Sequence, residues 1–357
     1  MNSEKEKLLE EIKSELDQLK KLFKNTKHLL IVVHTNPDPD AIASAAALQH
    51  LVKGLLKVEA SIAYSGNVGR AENREMLKKL KIHMKQIKRI NFDKYDRIAL
   101  VDTQVGAGNH PLPDKTGCDL VIDHHPIRNK GKAKLEIIKP EIGVTSTMLI
   151  EYIRESDLDF PVNLATALAY AISSETQNLG REASKRDIEA YFTVFVNSSM
   201  KKLSQILHPK LTRAYYVSLA KALQEAEFYR NIICSHIGEV PAAEIVSEMA
   251  DFLLRLVRVS WALCTGRFKG QLIISVRATQ PNAKAGTLVQ SLVNDPDTVG
   301  GHDMMAGGYI PLNDGKKQEY KEVELQLSRE FAKIQGYDAV EWKPLLQSLE
   351  LPKKGKV

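Results

Sequence analysis

Three short apolar runs of this chain end in carboxylates or imidazoles. Leu120-Val121-Ile122 runs into Asp123-His124-His125, Leu29 to Val33 runs into His34-Thr35-Asn36-Pro37-Asp38-Pro39-Asp40, and Ile98-Ala99-Leu100-Val101 runs into Asp102. Mixed carboxylate and imidazole donors suit divalent cations such as manganese. A lone acid-His-His triplet also occurs as an ordinary hydrogen-bonding segment, so the triplet decides little by itself. In an open parallel sheet, however, ligands bind outside the carboxyl ends of the strands, and three strands ending in Asp or His imply one shared cleft.

The spacing within the first segment is also informative. His34, Asp38 and Asp40 follow one another at steps of four and two, in a turn stiffened by Pro37 and Pro39. Such a loop can offer its acids to different ions. Asp102 stands alone at its strand end, where the two oxygens of one carboxylate can bridge two metals. A hydroxide held between two divalent ions ~3.5–4 Å apart is a nucleophile at neutral pH, and the same ions stabilise in-line displacement at phosphorus. The bland alternative is helix capping, with Asp40 before Ala41 as the N-cap. Capping accounts for neither His34 nor Asp102.

These residues need a scaffold that alternates strand and helix. Ala41 to Leu56 reads as a helix, Val58 to Tyr64 as a strand and Glu72 to Leu80 as a helix. After the runs at 98 and 120, helical patterns follow at about 146–155, 162–174 and 184–195. The rhythm predicts an α/β fold with a mostly parallel sheet and helices on both faces, over residues 28–197. Before it, residues 1–27 form an amphipathic helix with a narrow seam at Leu9, Ile12, Leu16, Leu19 and Phe23. That seam suits either its own domain or a homodimer contact. Turn formers at Asn197-Ser198-Ser199 and around His208-Pro209 suggest a linker over 198–215. A smaller mixed-sheet α/β domain is expected over 216–335, followed by a basic tail at 336–357.

At 357 residues the chain exceeds what one hydrophobic core usually serves, which favours two domains. No stretch approaches the ~18 apolar residues of a membrane span. Met1 to Lys13 lacks the apolar core of a secretory signal, so the expected location is the cytoplasm. Cys118, Cys234 and Cys264 are too few and too scattered for a disulfide framework or a thiolate zinc site. The net charge of +6 suits an anionic substrate. Aromatic residues make up only 6%, and there is no basic stripe interleaved with them, which argues against long duplex nucleic acid as a partner.

Together, His34-x-Asn36-Pro37-Asp38-x-Asp40-Ala41, Val101-Asp102 and Asp123-His124-His125 resemble the first three motifs of the DHH phosphoesterase superfamily. Ser174-Glu175-Thr176 stands where a fourth, Asp-Thr motif is usual. The resemblance, over roughly residues 28–312, implies two manganese-type ions. One would be held by His34, Asp38 and Asp102, the other by Asp40, Asp102, His124 and Glu175. His125 would face the substrate phosphate, with Asp123 orienting the histidine pair. Gly300-Gly301-His302 resembles the glycine-rich motif of the associated C-terminal domain, although Val299 replaces its first glycine. Arg277, at the end of the run Leu272 to Val276, occupies a substrate-contacting position in that family.

The group matched in size and order includes nanoRNases, 3'-phosphoadenosine 5'-phosphate phosphatases and cyclic-dinucleotide phosphodiesterases. By that resemblance the chain is a hydrolase of short nucleotide phosphoesters acting through a metal-bridging hydroxide. A cleft closed by the metals on one side and by Arg277 and His302 on the other would fit two to a few nucleotides. Two alternatives are a nucleotide-binding regulator with weakened chemistry, motivated by Glu175 and Val299, and an inorganic pyrophosphatase, which the glycine-rich segment disfavours.

Overall fold

The runs that end in Asp and His fold as neighbouring strands. A computed structural model of the protein describes residues 2–113, 115–127, 132–180, 183–293, 298–301, 303–312 and 317–346. It divides into two compact units, Met1–Lys210 and Leu211–Val357.

The first unit contains α1 (Asn2–Leu22), β1 (His28–Val33), α2 (Pro39–Leu56), β2 (Glu59–Tyr64), α3 (Ala71–Leu80), β3 (Met84–Gln86), β4 (Arg97–Val101), β5 (Leu120–Asp123), β6 (Leu135–Ile138), α4 (Thr145–Glu155), α5 (Val162–Glu175), α6 (Lys185–Phe195) and α7 (Met200–Leu207). Its six strands lie in the order β3-β2-β1-β4-β5-β6, with every pairing parallel. Leu29, Ile31 and Val33 point to one face, Leu30 and Val32 to the other, and all are buried. A strand buried on both faces is why the run is continuously apolar rather than alternating.

Among the described residues, long helices cover only one of these faces. The larger core joins strand residues such as Ile31, Val101 and Ile122 to Leu48 of α2, Ile150 of α4, Leu168 of α5 and Val194 of α6. The opposite face, expected to carry helices as well, is covered by Leu112 and Cys118 and by two single 3-10 turns, Ile87–Arg89 and Phe92–Lys94. Right-handed crossovers from β4 to β5 and β6 would place helices there. The described parts of those connections are loops instead.

Ile12, Leu16 and Leu19 of α1, with Phe23 just after it, are buried in the unit's own core, so most of the apolar seam is consumed within the chain. Buried Lys139 also bonds Glu11 at 2.6 Å and Glu15 at 2.8 Å, tying α1 beside β6. The stretch 198–215, expected as a linker, contains the boundary between the two units and also carries α7, whose Leu203 and Ile206 are buried. Ser199 is its N-cap, accepting from Lys202 N; the turn former at this point starts a helix.

The second unit contains α8 (Arg213–Gln224), β7 (Ala226–Tyr229), β8 (Ile232–Glu239), α9 (Glu244–Leu253), β9 (Trp261–Phe268), β10 (Gln271–Ala278), α10 (Ala285–Leu292), β11 (Val299–Gly301), β12 (Met305–Pro311), α11 (Lys317–Ile334) and β13 (Lys343–Pro344). Its mixed sheet runs β11-β12-β10-β9-β8-β7-β13, with α10 and α11 packed on one face and α8 and α9 on the other. β13 falls within the expected C-terminal tail, and residues 347–357 lie outside the described residues. All three cysteines are buried and unpaired. No helix among the described residues is long and apolar enough to cross a membrane.

Candidate metal centre

The strand order places the acids. β1 and β4 are hydrogen-bonded neighbours, yet the chain between them travels outward through β2 and β3 and returns. That reversal opens a crevice at the carboxyl ends of the central strands. His34 follows β1, Asp102 follows β4, and Asp123 closes β5. Asp102 adopts a left-handed backbone with φ of 60°, a conformation that costs a non-glycine residue on the order of 1–3 kcal/mol and persists where surrounding structure enforces it.

Asp102 is shared between two groups of potential ligands. Its Oδ2 lies 3.7 Å from His34 Nε2, which is 3.3 Å from Asp38 Oδ2. Its Oδ1 lies 3.7 Å from His124 Nε2 and 3.8 Å from His125 Nδ1. Among the described residues, His34, Asp38 and Asp102 form one group able to hold a cation, and Asp102, His124 and His125 form the other.

The imidazoles are oriented as metal ligands are. His34 Nδ1 is 3.0 Å from Thr35 O, and His124 Nδ1 is 3.1 Å from Ile142 O. A carbonyl can only accept, so each Nδ1 carries the proton it donates and each Nε2 is turned to the carboxylates. Burial lowers the His34 pKa, but the carboxylates of Asp38 and Asp102 outweigh it and lift the imidazole to about 10. Burial, with Asp40 and Asp38 alongside, raises Asp102 well above the usual carboxylate range. Asp40 and Asp102 are buried and both raised above the usual carboxylate range, with the Asp38 carboxylate alongside, so the cluster calls for a compensating cation, and the hard oxygen and imidazole donors fit a divalent ion of the manganese type.

Residues 28–172 match the DHH family, N-terminal domain. This segment is similar to that family's domain. An uncharacterised protein of Methanocaldococcus jannaschii is 35% identical over 306 residues, covering 85% of this chain and 62% of that protein. A Lactobacillus acidophilus protein named "Probable manganese-dependent inorganic pyrophosphatase" is 30% identical over 145 residues, covering 40% of this chain and 46% of that protein. This chain thus spans less than two thirds of either relative. An exopolyphosphatase-related protein of Bacteroides fragilis has the same fold, with a TM-score of 0.69 at 16% identity over 90% of this chain and 97% of that one.

Within residues 28–172, Asp38 rather than Asp40 is the N-cap of α2. Its Oδ1 accepts from Ala41 N at 2.9 Å, while Pro39 opens the helix. Asp40 is held by the start of α4 and by Ser44. Oδ2 accepts from Thr145 N at 2.7 Å, and Oδ1 accepts from Ser146 N at 2.9 Å, from Ser44 Oγ at 3.0 Å and from Ser146 Oγ. It belongs to neither group of three; its buried carboxyl is raised above the usual range, mainly by burial and against the pull of His124.

His125 is steered by Asp123, whose Oδ1 lies 2.8 Å from His125 Nδ1 and accepts its proton. Burial lowers His125, and the Asp123 bond with the Asp102 charge outweighs it, raising the imidazole to about 9. Gln104 Nε2 donates to the carbonyls of His125 at 3.0 Å and Pro126 at 3.3 Å, fixing the turn that carries the ring. Gln104 and Thr145 gave no signal in the sequence, and Ser146 read there only as the start of a helix.

Glu175 ends α5 half-buried and lies outside both groups of three. Arg277 sits at the end of β10 as expected, but its Nε donates to Asp251 Oδ1 of α9 at 2.6 Å and its Nη1 to Val276 O at 2.9 Å. Asp251 was not foreseen, because the pair joins two elements distant in sequence. Gly300 and Gly301 pair with Gly307 and Ala306 in a hairpin. A Cβ at Gly301, where φ is 139°, would fall 2.4 Å from Met305 O, so the hairpin itself requires this glycine; a Cβ at Gly300 would meet nothing within 4 Å. His302 lies outside the described residues.

Proposed function

We propose that the chain is a phosphoesterase that uses two divalent cations, of the manganese type, to hydrolyse short nucleotide phosphoesters. Suitable substrates are a short oligoribonucleotide, a linear or cyclic dinucleotide, or 3'-phosphoadenosine 5'-phosphate. The observation that carries the reading is Asp102, which turns one oxygen to His34 and Asp38 and the other to His124. Two cations there would be held by these four residues, with Asp40 Oδ2 beside them, and would supply a nucleophile at neutral pH and offset charge on phosphorus.

The remaining work belongs to the chain's own side chains. With Nδ1 bound to Asp123 and its pKa raised to about 9, His125 stays protonated at neutral pH and can donate from Nε2 to a phosphate oxygen. Asp123 holds the ring at the angle this requires. In the second unit, Arg277 offers a guanidinium whose plane is fixed by Asp251 and a backbone carbonyl, a geometry suited to anion recognition.

Initial rates with manganese on short RNAs, linear and cyclic dinucleotides, 3'-phosphoadenosine 5'-phosphate and pyrophosphate test the reading. Turnover of one nucleotide substrate, abolished in Asp102→Ala, is expected. A pyrophosphatase is the second reading, favoured by the 30% identity over 145 residues to a protein of that name. Pyrophosphate turned over faster than every nucleotide would decide for it.

A further inference from the structure

The two carboxylates most deeply built into the metal centre are held by the first turn of α4. Thr145 N and Ser146 N donate to Asp40 at 2.7 and 2.9 Å, and Thr145 Oγ1 donates to Asp102 Oδ1 at 2.8 Å. This helix has no cap of its own, since its N-cap position is Val144 and makes no side-chain bond. The orphan N–H groups of a helix start are thus satisfied by a candidate ligand. Where that turn sits determines where both carboxylates sit.

One buried residue outside the ligand set grips the turn from both sides. Asp187 Oδ2 accepts from Gly143 N at 2.9 Å, just before α4, and Oδ1 accepts from Thr147 Oγ1 at 2.6 Å, within its first turn. Oδ2 also accepts from Ser184 N at 2.7 Å and Ser184 Oγ at 2.6 Å, and Asp187 N donates to Ser184 Oγ at 3.2 Å, completing a capping box at the start of α6. A capping box needs only the reciprocal Ser184 contacts. The bonds to Gly143 and Thr147 are additional, and both go to the segment that presents Thr145 and Ser146.

We infer that Asp187 is a positioning residue for the metal centre, locking the Gly143–Thr147 turn so that Asp40 and Asp102 keep their places. The inference rests on the metal-centre reading proposed above. Outer partners of this kind typically change metal affinity by about 10- to 100-fold when removed.

Manganese titration calorimetry on the full chain, with a thermal melt of each variant, tests it. Asp187→Asn and Thr147→Val should weaken manganese binding by about 10- to 100-fold. Thr147→Ser, which keeps the hydroxyl, should restore wild-type affinity. Ser184→Ala, which removes the cap and one hydroxyl bond to Asp187 but keeps the Asp187 bonds to Gly143 and Thr147, should lower the melting temperature while leaving affinity within about twofold. If Asp187→Asn does not fold, the contrast between Thr147→Val and Thr147→Ser decides alone. Wild-type affinity in Thr147→Val or in folded Asp187→Asn overturns the inference and leaves the metal centre standing. A wild-type chain that binds no manganese overturns the metal centre itself, and this inference with it.

Discussion

Asp38 divides its carboxylate between two partners: Oδ1 accepts the Ala41 N–H at 2.9 Å, and Oδ2 faces His34 Nε2 at 3.3 Å. Helix capping and ligand presentation therefore coincide in one residue, and substitution can separate them. Asn caps a helix about as well as Asp, whereas Ala costs about 1 kcal/mol. Asp38→Asn should melt close to wild type and Asp38→Ala lower, while both lose manganese affinity. Calorimetric melts paired with metal titrations check the separation.

The Thr145 hydroxyl donates to Asp102 at 2.8 Å inside the buried centre. A hydrogen bond to a charged group is worth about 1.5–3 kcal/mol. Thr145→Val should therefore weaken manganese binding by about tenfold or more, and Thr145→Ser should not. Titration calorimetry on the pair measures the difference.

Metal binding must also displace protons. With His34 raised to about 10 by its carboxylate neighbours against the effect of burial, the metal-free imidazole is charged at neutral pH and its Nε2 is not free to ligate. Binding then releases at least one proton, and affinity rises with pH until about 10, by about tenfold per pH unit for each proton released. Calorimetry in two buffers of different ionisation enthalpy counts the protons; no net release would contradict this.

In the second unit, His236 bonds Thr265 Oγ1 at 2.7 Å through Nδ1 and Ser328 Oγ at 2.8 Å through Nε2, and burial pushes its pKa down to about 4. The unfolded chain, with an ordinary value near 6.5, binds this proton where the native chain refuses it. Stability from this group is full above about 6.5 and falls as pH drops toward 4, by roughly 3 kcal/mol in all. Denaturant midpoints between pH 7 and pH 4.5 should fall more steeply for wild type than for His236→Gln.

The strand ends were legible because a buried parallel strand writes itself as an apolar run and the chemistry sits immediately after it. His34, Asp38, Asp102 and His124 could be read directly from that juxtaposition. The support around them could not. Asp187 reaches Gly143 and Thr147 across some forty residues, and its sequence signature, Ser184-x-x-Asp187, announces a helix start and nothing more. The helix inside the expected linker at 198–215 has the same origin: Ser199 is a turn former in isolation and an N-cap once Leu203 and Ile206 find a core. Helices on both faces followed from a general rule about parallel sheets. The loops after β4 and β5 break it locally, with Leu112 and Cys118 filling the second face.

The number of manganese ions and their coupling test the shared role of Asp102 most directly. Electron paramagnetic resonance of the metal-loaded chain, with metal content measured on the same sample, should show two exchange-coupled ions per chain. In Asp102→Ala the coupling should vanish and at most one ion should remain. A single uncoupled ion in the wild-type chain, or a coupled pair that survives Asp102→Ala, would contradict a centre bridged by Asp102.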